Sequence, residues 1–292
     1  ILSVFEQGMI YAVMALGVYI TFRLLNVSDL TVDGSFATGG AVTVMLLLRG
    51  LPAWAALLLA VAVGILTGLC TGLLHTKFGI PAILAGILTQ FALYSINLRI
   101  MGKANQTASI KNFGMFWETN GKGFLMSSLY VPQALIAGLL LSAALVALLY
   151  WYFGTEQGSA MRATGANPAM SRAQGINTDI TKLIGLSLSN GIVALSGALL
   201  CQYQGYADIN MGKGAVVIGL AAVVIGEAII SKLPPNFAIR LTGVIIGAVI
   251  YYIVYQVIIF LGLDTDLLKM LSAVVVAVFL GMPYVKRKIS AR

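Results

Sequence analysis

The chain has 292 residues, of which 59% are hydrophobic and only 10% charged, with a net charge of +8. A soluble domain carries roughly a quarter charged residues, so this composition excludes an ordinary soluble protein and points to one built into a bilayer. The basic residues stand mostly at the ends of apolar runs, and the one dense cluster, Lys286-Arg287-Lys288, has no aromatic residues interleaved, which argues against a nucleic-acid surface.

Apolar runs long enough for a membrane helix, about 20 residues each, are predicted in chain order over 4–25, 30–48, 53–75, 80–100, 130–153, 183–204, 216–230, 238–261 and 267–285. The expectation is an all-α polytopic membrane protein with about nine transmembrane or re-entrant helices, forming one domain over 1–292. The first run has no cleavage-site pattern and reads as a membrane helix, not a signal peptide. Cys70 and Cys201 lie inside apolar runs and read as small buried hydrophobes.

The second run opens abnormally. NVSDLTVDGSFATGGAV, residues 26–42, places Asp29, Asp33, Gly34 and Ser35 where oil should begin. A helix starting there would take Asp33 or Ser35 as its N-cap. Ionisable residues within membrane segments are costly and so mark candidate sites. Asp29 and Asp33 are expected to pair with Arg23, to meet a solute, or to form a polar cap at the cytoplasmic interface; on the solute reading Gly34, Ser35 and Phe36 lie beside them on the substrate path. DINMGKGAVVIGLAA, residues 208–222, has a similar entry into an apolar helix. The two read either as paired interrupted helices, which mark transport sites, or as two ordinary loop-to-helix junctions.

Between the fifth and sixth runs lies GSAMRATGANPAMSRAQGINTDITK, residues 158–182, which is small, polar and basic. Asn167 is a good N-cap, Pro168 suits the first helical position and Gly175 suits a helix exit. Residues 168–174 are therefore predicted to form a two-turn helix about 10 Å long, too short to be stable alone. Further on, Glu227 lies near the inner end of its run and reads as an interfacial side chain or a gate residue.

Lys and Arg in short loops favour the cytoplasm. By that rule Lys77, the 154–182 loop, the loop with Lys232 and Arg240, and the C-terminal Lys286-Arg287-Lys288 lie inside, while the 101–129 segment and the loop with Asp264 and Asp266 lie outside. The N-terminus is outside if 30–48 crosses fully and inside if that run is re-entrant. Gln90, Tyr94, Asn97 and Gln202 read as path lining or as interhelical hydrogen-bond glue.

With one histidine and two cysteines, neither a zinc-ligand spacing nor a hydrolytic triad is expected, and no metal or cofactor. The glycines around Lys213 lack the spacing and the final Ser or Thr of a P-loop, so ATP chemistry is not expected in this chain.

The run Gly158, Arg162-Ala163, Asn167-Pro168, Ala173, Gly175-Ile176, Lys182, Ser189, Gly191 and Ser196-Gly197-Ala198-Leu199 resembles the cytoplasmic signature of ABC importer permeases for branched-chain amino acids, ribose and related solutes. DLTVDGSF, residues 29–36, resembles the branch that imports aromatic or other hydrophobic amino acids. The resemblance implies alternating access in a bacterial inner membrane. It implies a cytoplasmic ATP-binding subunit that receives a coupling helix through Arg162, Asn167, Pro168, Arg172 and Gly175. It also implies an extracytoplasmic solute-binding protein and a second permease chain, in the simplest case a homodimer. The rival readings are an ion-gradient-driven secondary transporter, a sugar or nucleoside permease, and a membrane scaffold or sensor.

Overall fold

The computed structural model describes residues 2–108, 133–230, 236–260 and the single residue 277. Ten α-helices occupy these residues: α1 (Leu2–Tyr19), α2 (Thr31–Leu48), α3 (Ala53–Thr76), α4 (Ala82–Met101), α5 (Gln133–Gly154), α6 (Glu156–Ala166), α7 (Pro168–Ala173), α8 (Thr178–Gln204), α9 (Ala215–Ile230) and α10 (Phe237–Phe260). A π-turn, Ile20–Leu24, ends α1. Seven helices among the described residues are long and apolar enough to cross a membrane, and α9 is a shorter apolar helix. The run predicted over 267–285, the C-terminal basic cluster and most of the 101–129 segment lie outside the described residues.

The bundle is organised around α8. Its 27 residues span about 40 Å at 1.5 Å per residue, and most of its length is buried against α1, α2 and α3. Lipid offers no hydrophobic gain for helix association, so close backbone approach and interhelical hydrogen bonds must hold the helices together. Both are present. A Cβ at Gly39 of α2 would fall on the backbone of Ala194 in α8, so only glycine permits this crossing. Ser189 and Ser196 of α8 donate to the carbonyls of Gly17 and Ile10, each at 2.7 Å, and Gln202 donates to the Ala53 carbonyl at 3.1 Å.

These pairings fix direction. α1 and α3 run antiparallel to α8, whereas α2 runs parallel to it. One face of the bundle carries α6, α7, the π-turn and the start of α8. The opposite face carries the start of α1, where Tyr203 donates to Glu6 at 2.9 Å, and a short antiparallel ribbon, β1 (Asn105–Thr107) with β2 (Tyr206–Asp208), in which Asn105 pairs with Asp208. This ribbon was not expected in an all-α chain. It clips the end of α4 to the end of α8, burying Ala207 with Met101 and Cys201.

Large apolar side chains such as Trp54, Leu58, Phe91, Leu140 and Trp151 stand exposed on α3, α4 and α5. Such a surface suits lipid or a partner helix. Cys201 is buried as expected, but Cys70 is exposed on α3.

Candidate functional site

The turn between α1 and α2 brings a buried carboxylate and several hydroxyls into the interior. Asn26 takes a left-handed conformation, φ +53°, which Asn tolerates better than most residues. The chain then doubles back so that α2 begins at Thr31, inside the bundle. Asp29 caps this start, accepting from the Thr31 N–H at 2.8 Å, while its other oxygen accepts from Asn190 Nδ2 at 2.7 Å. A chain of buried groups continues from there. Ser35 bonds Asn190 Oδ1 at 2.6 Å and Thr67 at 2.8 Å, and Thr71 bonds Thr31 at 2.7 Å and Thr89 at 3.0 Å. Five elements are thereby tied at one level: the α1–α2 turn, α2, α3, α4 and α8.

Asp33 behaves differently from the expected N-cap of its own helix. Its carboxylate reaches across to α9, accepting from Gly214 N–H at 3.0 Å and Val216 N–H at 2.9 Å. These are the unpaired donors of a helix N-terminus, where a negative charge is favoured. The connection from Ile209 to Gly214 dips into the bundle to present them. The first turns of α2 and α9 thus meet at Asp33, and the two helices leave in opposite directions. The two similar segments, 26–42 and 208–222, are brought together by this contact.

Asp33 and Gly34 also line a cavity of about 320 Å³, together with Ala37, Gln90, Phe91, Tyr94, Asn97, Ile209 and Lys213. Asp29, Ser35 and Phe36 do not reach it. Asp29 and Ser35 are fully buried in the hydroxyl network, and Phe36 stacks on Tyr11 with ring centroids 6.0 Å apart. Of the four polar residues given two readings, Gln90, Tyr94 and Asn97 line the cavity, whereas Gln202 bonds across helices.

Arg23 pairs with neither aspartate. Its partner is Glu227, at 2.5 Å. The physical reason is position: Arg23 sits on the π-turn, whose extra residue per turn swings it toward α9, while Asp29 and Asp33 turn to amide donors on other elements. The ion pair joins the end of α1 to the far end of α9.

On the same face α6 and α7 form the projecting unit. The polar stretch is more ordered than a single short helix in a loop. Glu156–Ala166 is an additional helix, capped by Thr155, which accepts from Gly158 N–H at 3.4 Å. α7 matches its sequence signals: Asn167 Oδ1 accepts from Met170 N–H at 3.1 Å, Pro168 opens the helix, and Gly175 leaves it at φ +83°. α8 then begins at Thr178, five residues before its predicted start, because Asn177 caps it by accepting from Asp179 and Ile180 N–H.

The side chains expected to face a partner divide. Asn167, Pro168 and Gly175 are exposed. Arg162 lies 5.7 Å from the ring centre of Phe237 and ties α6 to α10. Arg172 donates to Thr178 at 2.7 Å and pairs with Asp179 at 3.4 Å, bracing α7 against α8. Met170, which was not singled out in the sequence, presents an exposed apolar side chain at the tip. Behind the tip, Gly165 lies directly on the Leu24 carbonyl of the π-turn, leaving no room for a Cβ.

A bundle of apolar helices, two of them starting within it beside a mainly apolar cavity that carries a few polar groups, and a capped polar helix projecting from one face define a multi-pass membrane permease. The chain belongs to the family described as branched-chain amino acid transport system / permease component, whose model matches residues 1–281, and it is an ABC-type permease. It is 37% identical to a tyrosine transport system permease protein of Clostridioides difficile (strain R20291), over 96% of this chain and 90% of that protein. It is 27% identical to a ribose import permease protein of Escherichia coli (strain K12), over 94% and 82%, and 26% identical to a fructose import permease protein of Bifidobacterium longum, over 97% and 76%. No solved structure matches the chain.

Proposed function

We propose that this permease is the transmembrane subunit of an ATP-driven importer of a hydrophobic or aromatic amino acid, working by alternating access in a bacterial inner membrane. The higher identity to a tyrosine permease than to the ribose and fructose permeases supports the solute class. About nine helices, an α7 face in the cytoplasm and a homodimer complete the reading. A solute-binding protein delivers to the ribbon face, and two cytoplasmic ATP-binding subunits each receive one α6–α7 unit.

The observation that carries the ATP-driven mechanism is the contact of Gly165 with Leu24. A push on α7 reaches α6, and α6 has no slack against the π-turn. The π-turn leads directly into the start of α2, and through Arg23 and Glu227 it holds α9. The first turns of both helices meet at Asp33, so a displacement at the cytoplasmic face reaches the cavity through backbone-to-backbone contact and two helix termini. Asp33 and Gly34 lie on the solute's route in this reading.

The test is uptake by proteoliposomes containing the permease, its ATPase and its binding protein, with L-tyrosine, L-tryptophan, L-leucine and D-ribose offered in turn. ATP-dependent accumulation of an aromatic or aliphatic amino acid is expected. Accumulation of ribose alone would overturn the solute class, and accumulation driven by an ion gradient without ATP would overturn the mechanism.

A further inference from the structure

We infer that the cavity at Asp33 is a binding site for a free zwitterionic amino acid, with Lys213 receiving its carboxylate and Asn97 together with Asp33 receiving its ammonium. The inference rests on the amino-acid reading above and goes beyond it in assigning recognition to residues on α4 and the α9 entry.

The lining carries one anion, one cation and one unsatisfied acceptor. Asn97 is 1% exposed, and its Oδ1 has no hydrogen-bond partner. A buried polar atom left in that state costs about 1–3 kcal/mol, a cost that a ligand donor would remove. Asp33 uses one oxygen for each of two backbone N–H groups. A carboxylate offers about four lone-pair positions, so an ammonium can be accepted without releasing α9. Lys213 is exposed and forms no ion pair with a described residue. Asp33 and Lys213 both line this one small space, and Phe91, Tyr94 and Ile209 give it apolar and aromatic walls.

Size and charge select the class. Ligand pockets begin at about 300 Å³, so about 320 Å³ is enough room for one amino acid. A sugar has no charge to answer either Lys213 or Asp33, and burying those groups against neutral hydroxyls is unfavourable. An amine without a carboxylate would leave Lys213 unanswered.

The experiment is equilibrium binding to the purified permease–ATPase complex, with the binding protein omitted so that its selectivity does not contribute. The probes are L-tyrosine, tyramine and D-ribose. Saturable L-tyrosine binding is expected, weakened about tenfold by Lys213→Met and by Asn97→Leu, as for loss of a charge-assisted or buried hydrogen bond. Lys213→Arg should restore it. Tyramine, lacking the carboxylate, should bind Lys213→Met at least as well as the wild type, since the variant removes only a like charge. If a complex that imports tyrosine binds it equally well in the wild type and in both variants, the site is overturned. If the complete importer moves no amino acid, the failure belongs to the functional reading and not to the cavity.

Discussion

Two aspartates four residues apart have separate tasks, and each task makes a different prediction. Asp29 accepts from Thr31 N–H and Asn190 Nδ2 with no exposure to solvent. Asp29→Ala orphans both donors, at about 1–3 kcal/mol each, and should lower the thermal unfolding midpoint in detergent. Asp29→Asn retains an acceptor for Thr31 and should lose about half as much. A variant as stable as the wild type would show that the network is not structural. Asp33→Asn keeps one acceptor for α9 but orphans one of the two N–H donors, so it should cost about 1–3 kcal/mol of stability and also impair uptake through loss of the charge. Charge and local composition made both residues visible in the sequence. Their partners were not visible: Asn190 and Val216 are more than 150 positions away, and nothing in a single sequence indicates which amide closes on which carboxylate. The expected link to Arg23 failed for this reason, and the π-turn that carries Arg23 to Glu227 has no distinctive residue pattern.

Local chemistry decides how far each element could be read. Asn167, Pro168 and Gly175 specify α7 through caps that act within a few residues, so its existence and limits were legible. The extra helix α6 was not, since GSAMRATG is poor in apolar periodicity and is held by α8, α10 and the π-turn. At this scale the Arg23–Glu227 pair is a link and not a source of stability. Both side chains are partly exposed, with Arg23 59% and Glu227 33% accessible, and such pairs contribute only about 0–1 kcal/mol. Glu227→Arg should therefore fold normally and transport poorly. The double exchange Arg23→Glu with Glu227→Arg should recover uptake if the pair transmits motion; unrecovered uptake would assign the defect to something other than the pair. Gly165→Val places a branched side chain where the Leu24 carbonyl lies. It should raise the ATP consumed per solute moved by several-fold while the complex still assembles; an unchanged ratio would remove the π-turn from the coupling route.

For the whole molecule, hydrophobic runs were enough to reveal an all-helical polytopic chain, because every backbone group in lipid must be paired within its own segment. They did not show that α2 and α9 begin inside the bundle, since a run interrupted at its start looks the same as a loop leading to a helix. The relative sides are now fixed by contact: the start of α1 lies with the ribbon, and the π-turn lies with α7. The central claim is that the α7 face is the cytoplasmic face on which an ATPase acts. The most direct measurement is disulfide trapping in native membranes, with Met170→Cys or Asn105→Cys introduced after Cys70 and Cys201 are replaced. Both positions are exposed and lie on opposite faces. The account predicts that Cys at 170 cross-links to a cysteine in the ATPase cleft and that this stops uptake until the disulfide is reduced, while Cys at 105 cross-links only to an extracytoplasmic partner and reacts with an impermeant thiol reagent added outside. Labelling of position 170 from outside, or an ATPase cross-link at 105, would contradict it.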